Sequence, residues 1–203
     1  MTDKVANYTI WWLSVVLSVA LLATVQMLSP ANVPLNSADP EGFLLLWTRY
    51  SAHLAFVFLL LAFSASTLKT LYDNGLTRSL MRYRRQLGLG FATAHAFHLT
   101  ALTLFLVNLD GFAMDAGLAV AGFGYLVAAA LGATSNDWSV RRLGRRRWRR
   151  LHSVGSAILM LYFFVAFSAT LATKGGALYL TYVLAIVAAA TAKLRTHSRR
   201  RPS

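Results

Sequence analysis

The chain has 203 residues, of which 57% are hydrophobic and only 13% charged, with 20 Lys and Arg against 7 Asp and Glu. A soluble domain of this size carries about a quarter charged residues, so long apolar runs separated by short basic segments place the chain among integral membrane proteins. The net charge of +13 is spread between apolar runs as a topology signal, which argues against nucleic acid as a partner, and the absence of cysteine excludes disulfides, thiolate metal sites, iron–sulfur clusters and thioether-linked c-type haem.

In chain order, six apolar runs approach the ~20 residues that cross a bilayer: about 8–29, 43–68, 87–108, 115–135, 151–173 and 176–193. The expected fold is all-α, a single transmembrane domain over 1–203 built as a bundle of six helices and ending in a basic tail, 194–203. The first run has no small-residue cleavage site and reads as a retained helix. The segment 30–42, PANVPLNSADPEG, reads as a short external linker. Basic residues fall in alternate connections: Lys4, the 69–85 segment, the seven arginines of 141–150, and Lys193, Arg195, Arg199, Arg200 and Arg201. The other side keeps only Arg49 and Lys174, with Asp39, Glu41, Asp110 and Asp115. By the positive-inside rule both termini are cytoplasmic, in a multi-pass protein of a bacterial inner membrane. Trp47 and Tyr50 fit the outer aromatic belt, and Trp138 and Trp148 the inner one.

Five histidines are candidates for chemistry. His197 lies in a polar tail and reads as solvated. His53, His95, His98 and His152 lie in or at the edge of spans, where ionisable groups are rare and face the bundle interior. His95 and His98, spaced i,i+3, share one helix face. A structural role for them would be a hydrogen bond to a backbone carbonyl or to Thr93 or Thr100. No carboxylate lies inside a span to serve a proton relay, and imidazoles without carboxylates or thiols suit haem iron.

The stretches LMRYRRQLGLGFATAHAFH and ATSNDWSVRRLGRRRWRRLH resemble two motifs of the ferric-reductase-like transmembrane family, over roughly residues 45–170. The first has a basic pair, LGL and then histidine. The second has TS, LG, W and LH elements. The resemblance is nearest to the bacterial six-helix haem-binding membrane subunits of periplasmic methionine sulfoxide reductase systems. It implies that His98 and His152 hold an inner b-type haem; the depth of the histidines along their helices leaves His53 and His95 as alternative ligands. Beside their role as a topology signal, Arg84, Arg85, Arg149 and Arg150 form cationic patches that suit haem propionates, a flavin phosphate or an acidic docked partner. The family repeats a histidine about thirteen residues after LH, where this chain has Val165. A second ligand after His98 would fall at Phe112. One haem b is therefore expected, with flavin as a further cofactor on the cytoplasmic side.

Depth along the helices complicates this pairing. At 1.5 Å per residue His98 lies ~20 Å beyond Arg85, whereas His152 lies ~3 Å beyond Arg150 and His53 ~24 Å before Lys69. A fifth helix that begins inside the arginine run, helix tilt, or a different ligand pair would each close the gap.

The expected function is one-electron transfer across the membrane. Electrons would come from a cytoplasmic flavin reductase or quinol and pass to a separate outer-side reductase or acceptor, with the lipid bilayer as surroundings. The sequence carries no Gly-rich dinucleotide fingerprint, so the chain reads as a subunit more than a complete enzyme. Two other readings stand beside it. One is a non-redox membrane protein, such as a haem-less relative, small transporter or assembly scaffold with structural histidines. The other is a metalloreductase acting on an ion at the outer face.

Overall fold

A computed structural model describes residues 2–30, 42–109, 113 and 116–198. The linker 31–41, Asp110, Phe112, Asp115 and the end of the tail with Arg199, Arg200 and Arg201 lie outside the described residues, and so does the side chain of Lys4. The described residues form eight α-helices and no strand: α1 Thr2–Leu28, α2 Phe43–Leu71, α3 Gly75–Arg82, α4 Arg84–Val107, α5 Ala116–Ala133, α6 Asp137–Leu143, α7 Arg145–Lys174 and α8 Ala177–Ser198. The protein is a multi-pass membrane protein. α1, α2, α4, α7 and α8 are each long and apolar enough to span, and α5 with α6 forms a sixth apolar pair bent by 100°.

The connections explain why spans start and stop where they do. α2 ends as Tyr72 donates its N–H to Leu68 O. Asn74 then caps α3, its side chain accepting from the Thr77 N–H at 2.9 Å while Thr77 Oγ1 accepts from the Asn74 N–H at 3.2 Å. This reciprocal capping box satisfies donors at a helix start. At Gly144, φ is +76°, a left-handed value that glycine adopts without a Cβ penalty. There α6 turns into α7. Consequently α7 begins at Arg145, inside the arginine run and earlier than the 151 expected from hydropathy. α3 and α6, hidden in the basic segments, were not among the six expected runs.

Side-chain contacts give the helix directions. Gly90 of α4 packs on Ser14 of α1, and Val25 of α1 packs in one cluster with Ala101 of α4 and Leu44 of α2. α1 and α4 therefore run parallel, and α2 runs against them. Arg84 at the start of α4 donates from Nε to Ala62 O near the end of α2, at 3.0 Å. Arg85 reaches Asp137 of α6 at 2.7 Å. Lys193 near the end of α8 sits 3.6 Å above the Phe63 ring. The start of α4, the ends of α2, α5 and α8, and the starts of α1 and α7 thus share one basic end of the bundle.

Two apolar clusters hold the helices together. One joins Phe56, Leu59, Phe91, Ala94, Leu159 and Phe163 across the middle. The other joins Val25, Leu44, Trp47 and Ala101 toward the opposite end. Small residues set the spacing, as in membrane bundles generally: a Cβ on Gly155 of α7 would lie 2.9 Å from Leu131 of α5, and one on Gly132 would lie 3.1 Å from Ala92 of α4. Buried hydroxyls bond within their own helices, Ser18 to Ser14 O at 2.8 Å and Ser51 to Trp47 O at 2.6 Å. Outward positions such as Met27, Leu126 and Leu161 are exposed, as lipid contact requires. Trp47 departs from the belt assigned to it. It is only 6% exposed and stacks on Phe43 inside the second cluster. Tyr50 and Trp138 are exposed, while Trp148 is half-buried.

Candidate functional site: two levels of histidine

Three of the four candidate histidines gather in the half of the bundle away from the basic end. His95 and His98 on α4 have ring centroids 5.5 Å apart. Tyr125 of α5 stacks on His95 at 4.6 Å and lies 6.0 Å from His98. Phe91 covers His95 on the basic-end side at 5.0 Å, and Phe163 of α7 lies 6.0 Å away. His53 of α2 is enclosed by Tyr50, Phe167, Tyr179 and Tyr182, with centroids between 5.4 and 5.9 Å. Phe167, beside His53, packs at 5.6 Å on Phe163, the ring that flanks His95.

The hydrogen bonds of His98 fix its chemistry. Nδ1 lies 3.0 Å from Thr48 O and 3.3 Å from Ser51 Oγ, both on α2. A carbonyl oxygen can only accept, so Nδ1 carries the proton and Nε2 keeps its lone pair. Binding one imidazole nitrogen to a backbone carbonyl is the usual way of orienting the other toward a metal. His95 differs, since its Nδ1 is buried with no hydrogen-bond partner. The partners offered by the sequence are engaged elsewhere: Thr93 Oγ1 accepts from Trp11 Nε1 at 3.0 Å, and Thr100 bonds back to Ala96 O at 3.1 Å.

His152 sits on another level. It stacks on Trp148 at 4.2 Å in the first turns of α7, beside Arg84 and Arg85. Its Nε2 lies 3.0 Å from Thr134 Oγ1, whose own proton goes to Ala130 O at 2.6 Å. Nε2 is therefore the donor, and the nitrogen that most often binds a metal is occupied. Trp148 Nε1 donates to Thr134 O at 2.8 Å. Together these bonds clamp the start of α7 to the end of α5. Phe163, at the level of His95, lies about 16 Å further along α7. The structure thus brings His53, His95 and His98 into one region and leaves His152 apart from them.

Cations surround the lower level. Arg84 is half-buried and Lys193 Nζ is buried without a hydrogen-bond partner. Arg149 and Arg150 are exposed and line a surface cavity of about 770 Å³ with Arg145, Arg146 and His197. Val165, where the ferric-reductase-like pattern has a histidine, is 58% exposed on the outside of the bundle. Among the described residues no group of three or more His, Asp or Glu converges as a metal cage. Sequence reading missed Thr48, Ser51, Tyr125 and Thr134, which orient the imidazoles. It also placed Lys193 with the cations of the basic tail.

The fold and site define a class: an α-helical membrane bundle with imidazoles in an aromatic interior that, among the described residues, holds no carboxylate. No family model matches the chain and no solved structure matches it. Over 131 residues it is 34% identical to the protein-methionine-sulfoxide reductase heme-binding subunit MsrQ of Bordetella pertussis, covering 62% of this chain and 60% of that protein. The MsrQ of Bordetella bronchiseptica gives the same identity and coverage. Over 141 residues it is 33% identical to the magnetosome protein MamZ of Magnetospirillum gryphiswaldense, covering 63% of this chain and 20% of that one. The chain is thus similar over part of its length to proteins named MsrQ, and spans about 60% of the length of those it matches.

Proposed function

We propose that the protein is a haem-binding electron-transfer subunit that carries electrons across a bacterial inner membrane, with its basic end cytoplasmic. The observation that carries this reading is His98: Nδ1 donates to Thr48 O, which leaves the Nε2 lone pair inside an apolar, aromatic interior. The buried Nδ1 of His95 beside it, with no hydrogen-bond partner, is a second imidazole nitrogen in the same region whose bonding the protein leaves open. The donor set fits a b-type haem, which needs two imidazoles and no carboxylate.

Two imidazoles that would hold one iron must come from the same depth of the bundle. The separation of levels therefore favours His53 over His152 as the partner of His98. The pairing of His98 with His152 implied by the family resemblance would require α7 to slide several turns. Its packing through Gly155 on Leu131 and the bond from Tyr162 to Val120 O at 2.7 Å oppose that movement. When bound, the haem supplies a one-electron couple. His98 and His53 would hold it, and Phe163, Phe167 and Tyr182 would exclude water from it. The donor is a reduced flavin, from a cytoplasmic reductase, or a quinol. Arg145, Arg146 and Arg149 mark the face where a flavin or its carrier would dock. The acceptor is a separate reductase on the opposite side, in keeping with the name of the MsrQ relatives.

The test is haem per protein, with redox difference spectra, for alanine variants of His53, His95, His98 and His152 purified from haem-replete cells. Loss with His98→Ala and His53→Ala, and retention with His152→Ala, is expected. Haem-free wild-type protein would refute the reading. It would favour a haem-less relative with structural histidines, for which the occupied Nε2 of His152 and the outward Val165 already speak.

A further inference from the structure

On the outer surface of α5 and α7, near the basic end, lies a groove of about 380 Å³. Its floor is apolar, made by Val127 and Ala130 of α5 and Val154 and Ile158 of α7, and Arg147 and Arg150 form its lip. The α7 residues recur at helical spacing, so one stripe of that helix passes from guanidinium to aliphatic within a few turns. The cationic lip continues into the neighbouring cavity, which shares Arg150 and Val154 and adds Arg146 and Arg149. No carboxylate lines either cavity. Among the described residues, neither Arg147 nor Arg150 has an acidic partner within salt-bridge distance.

We infer that this groove binds one anionic phospholipid, with its phosphodiester on Arg147 and Arg150 and an acyl chain along Val127, Ala130, Val154 and Ile158. Charge complementarity and depth select this occupant. Arginine's planar fork matches phosphate oxygens, and basic pockets between spans on the cytoplasmic side are where anionic headgroups settle. The apolar floor lies on the bundle's outer wall, where a soluble peptide or nucleotide would meet lipid and not water. The inference is independent of haem.

The test uses full-length protein in nanodiscs of phosphatidylcholine with one fifth phosphatidylglycerol, followed by native mass spectrometry of co-released lipid. Wild-type protein is expected to retain phosphatidylglycerol preferentially. Arg147→Gln with Arg150→Gln should lower that preference by roughly 30-fold, two arginines' share of attraction to an anionic lipid. Arg141→Gln with Arg142→Gln removes the same charge from α6, away from the groove, and should leave the preference unchanged. Ala130→Phe fills the floor and should release the lipid while the melting temperature stays near wild type. Equal loss in both double variants would reduce the effect to diffuse charge and overturn the site. Displacement by inorganic phosphate, with Ala130→Phe silent, would show a soluble-anion site and overturn it equally.

Discussion

Replacing Gly90 with valine tests the contact that sets α2 against α4, and so the reach of the Thr48 carbonyl to His98. A Cβ at Gly90 would lie 2.9 Å from Phe58 Cδ1, 3.0 Å from Phe58 Cε1 and 3.3 Å from Ser14 Cβ. Ordinary carbon contacts begin nearer 3.5 Å. Neither neighbour has free space to enter: Phe58 is 5% exposed and Ser14 is fully buried. Overpacking of this kind costs about 1–3 kcal/mol. Valine's two γ carbons push toward the upper end, and its helix propensity returns only about 0.4 kcal/mol relative to glycine. A net loss of about 2 kcal/mol is expected, close to a 30-fold change in the folding equilibrium. Gly88, two residues earlier on the same helix, has nothing within 4 Å of its added Cβ. Gly88→Ala should therefore gain up to about 1 kcal/mol. Reversible unfolding by SDS in mixed micelles measures both. A Gly90→Val midpoint at or above wild type, or the same shift for both variants, would refute the α2–α4 packing and with it the His98–Thr48 bond as described.

Two further predictions concern the ends of helices. Thr134→Val removes the acceptor of His152 Nε2 and should cost about 0.5–1.5 kcal/mol in the same titration. It should leave haem content unchanged if His98 and His53 are the ligands, and raise it if Nε2 of His152 is a ligand held back by Thr134. In the turn before α3, the hydrogen bond from Arg78 Nε to Asp73, helped by the charges of Arg78 and Lys69, holds the Asp73 carboxyl below the usual carboxylate range. The sign follows from linkage: the pair's contribution is present above the unfolded carboxylate pKa and is lost as pH falls through the lower folded value. Carbon-13 NMR of the aspartate carboxyls should show Asp73 titrating below a free aspartate, and Arg78→Gln should return it to the ordinary range.

Hydropathy and charge were sufficient for the apolar helices and for the gathering of basic residues at one end, because both are written in runs of residues. The i,i+3 spacing of His95 and His98 likewise foretold their shared face, and their rings do meet. Other features were illegible for definite reasons. α3 and α6 are one- or two-turn amphipathic pieces inside basic segments, which read as loops at the scale of a spanning window. Trp47 was assigned to the surface because a lipid-facing helix is apolar all round, so periodicity cannot tell its inner face from its outer one. Lys193 closes the sixth apolar run, yet the Phe63 ring of a helix far away in sequence takes its ammonium. The partner of His98 is a main-chain carbonyl, which no residue identity could announce.

The arginine run followed at once by His152 has an explanation in the fold that does not involve iron. α7 starts within that run because Gly144 can reverse the chain. Its first turns then need an inward anchor, since the arginines all leave for the surface. Trp148 and His152 supply it, reaching Thr134 through its carbonyl and its hydroxyl. An imidazole suits the second bond because, neutral, it donates one proton to the hydroxyl and adds no charge beside Arg84 and Arg85. The upper histidines have no such duty that exhausts them: His98 spends one nitrogen on α2 and retains the other, and His95 has a nitrogen with nothing to bond. Ligand capacity is thus concentrated where the α4 motif places it, about 20 Å from the basic end. On the proposed reading, the outward Val165 of α7 would leave the second imidazole to come from His53 of α2.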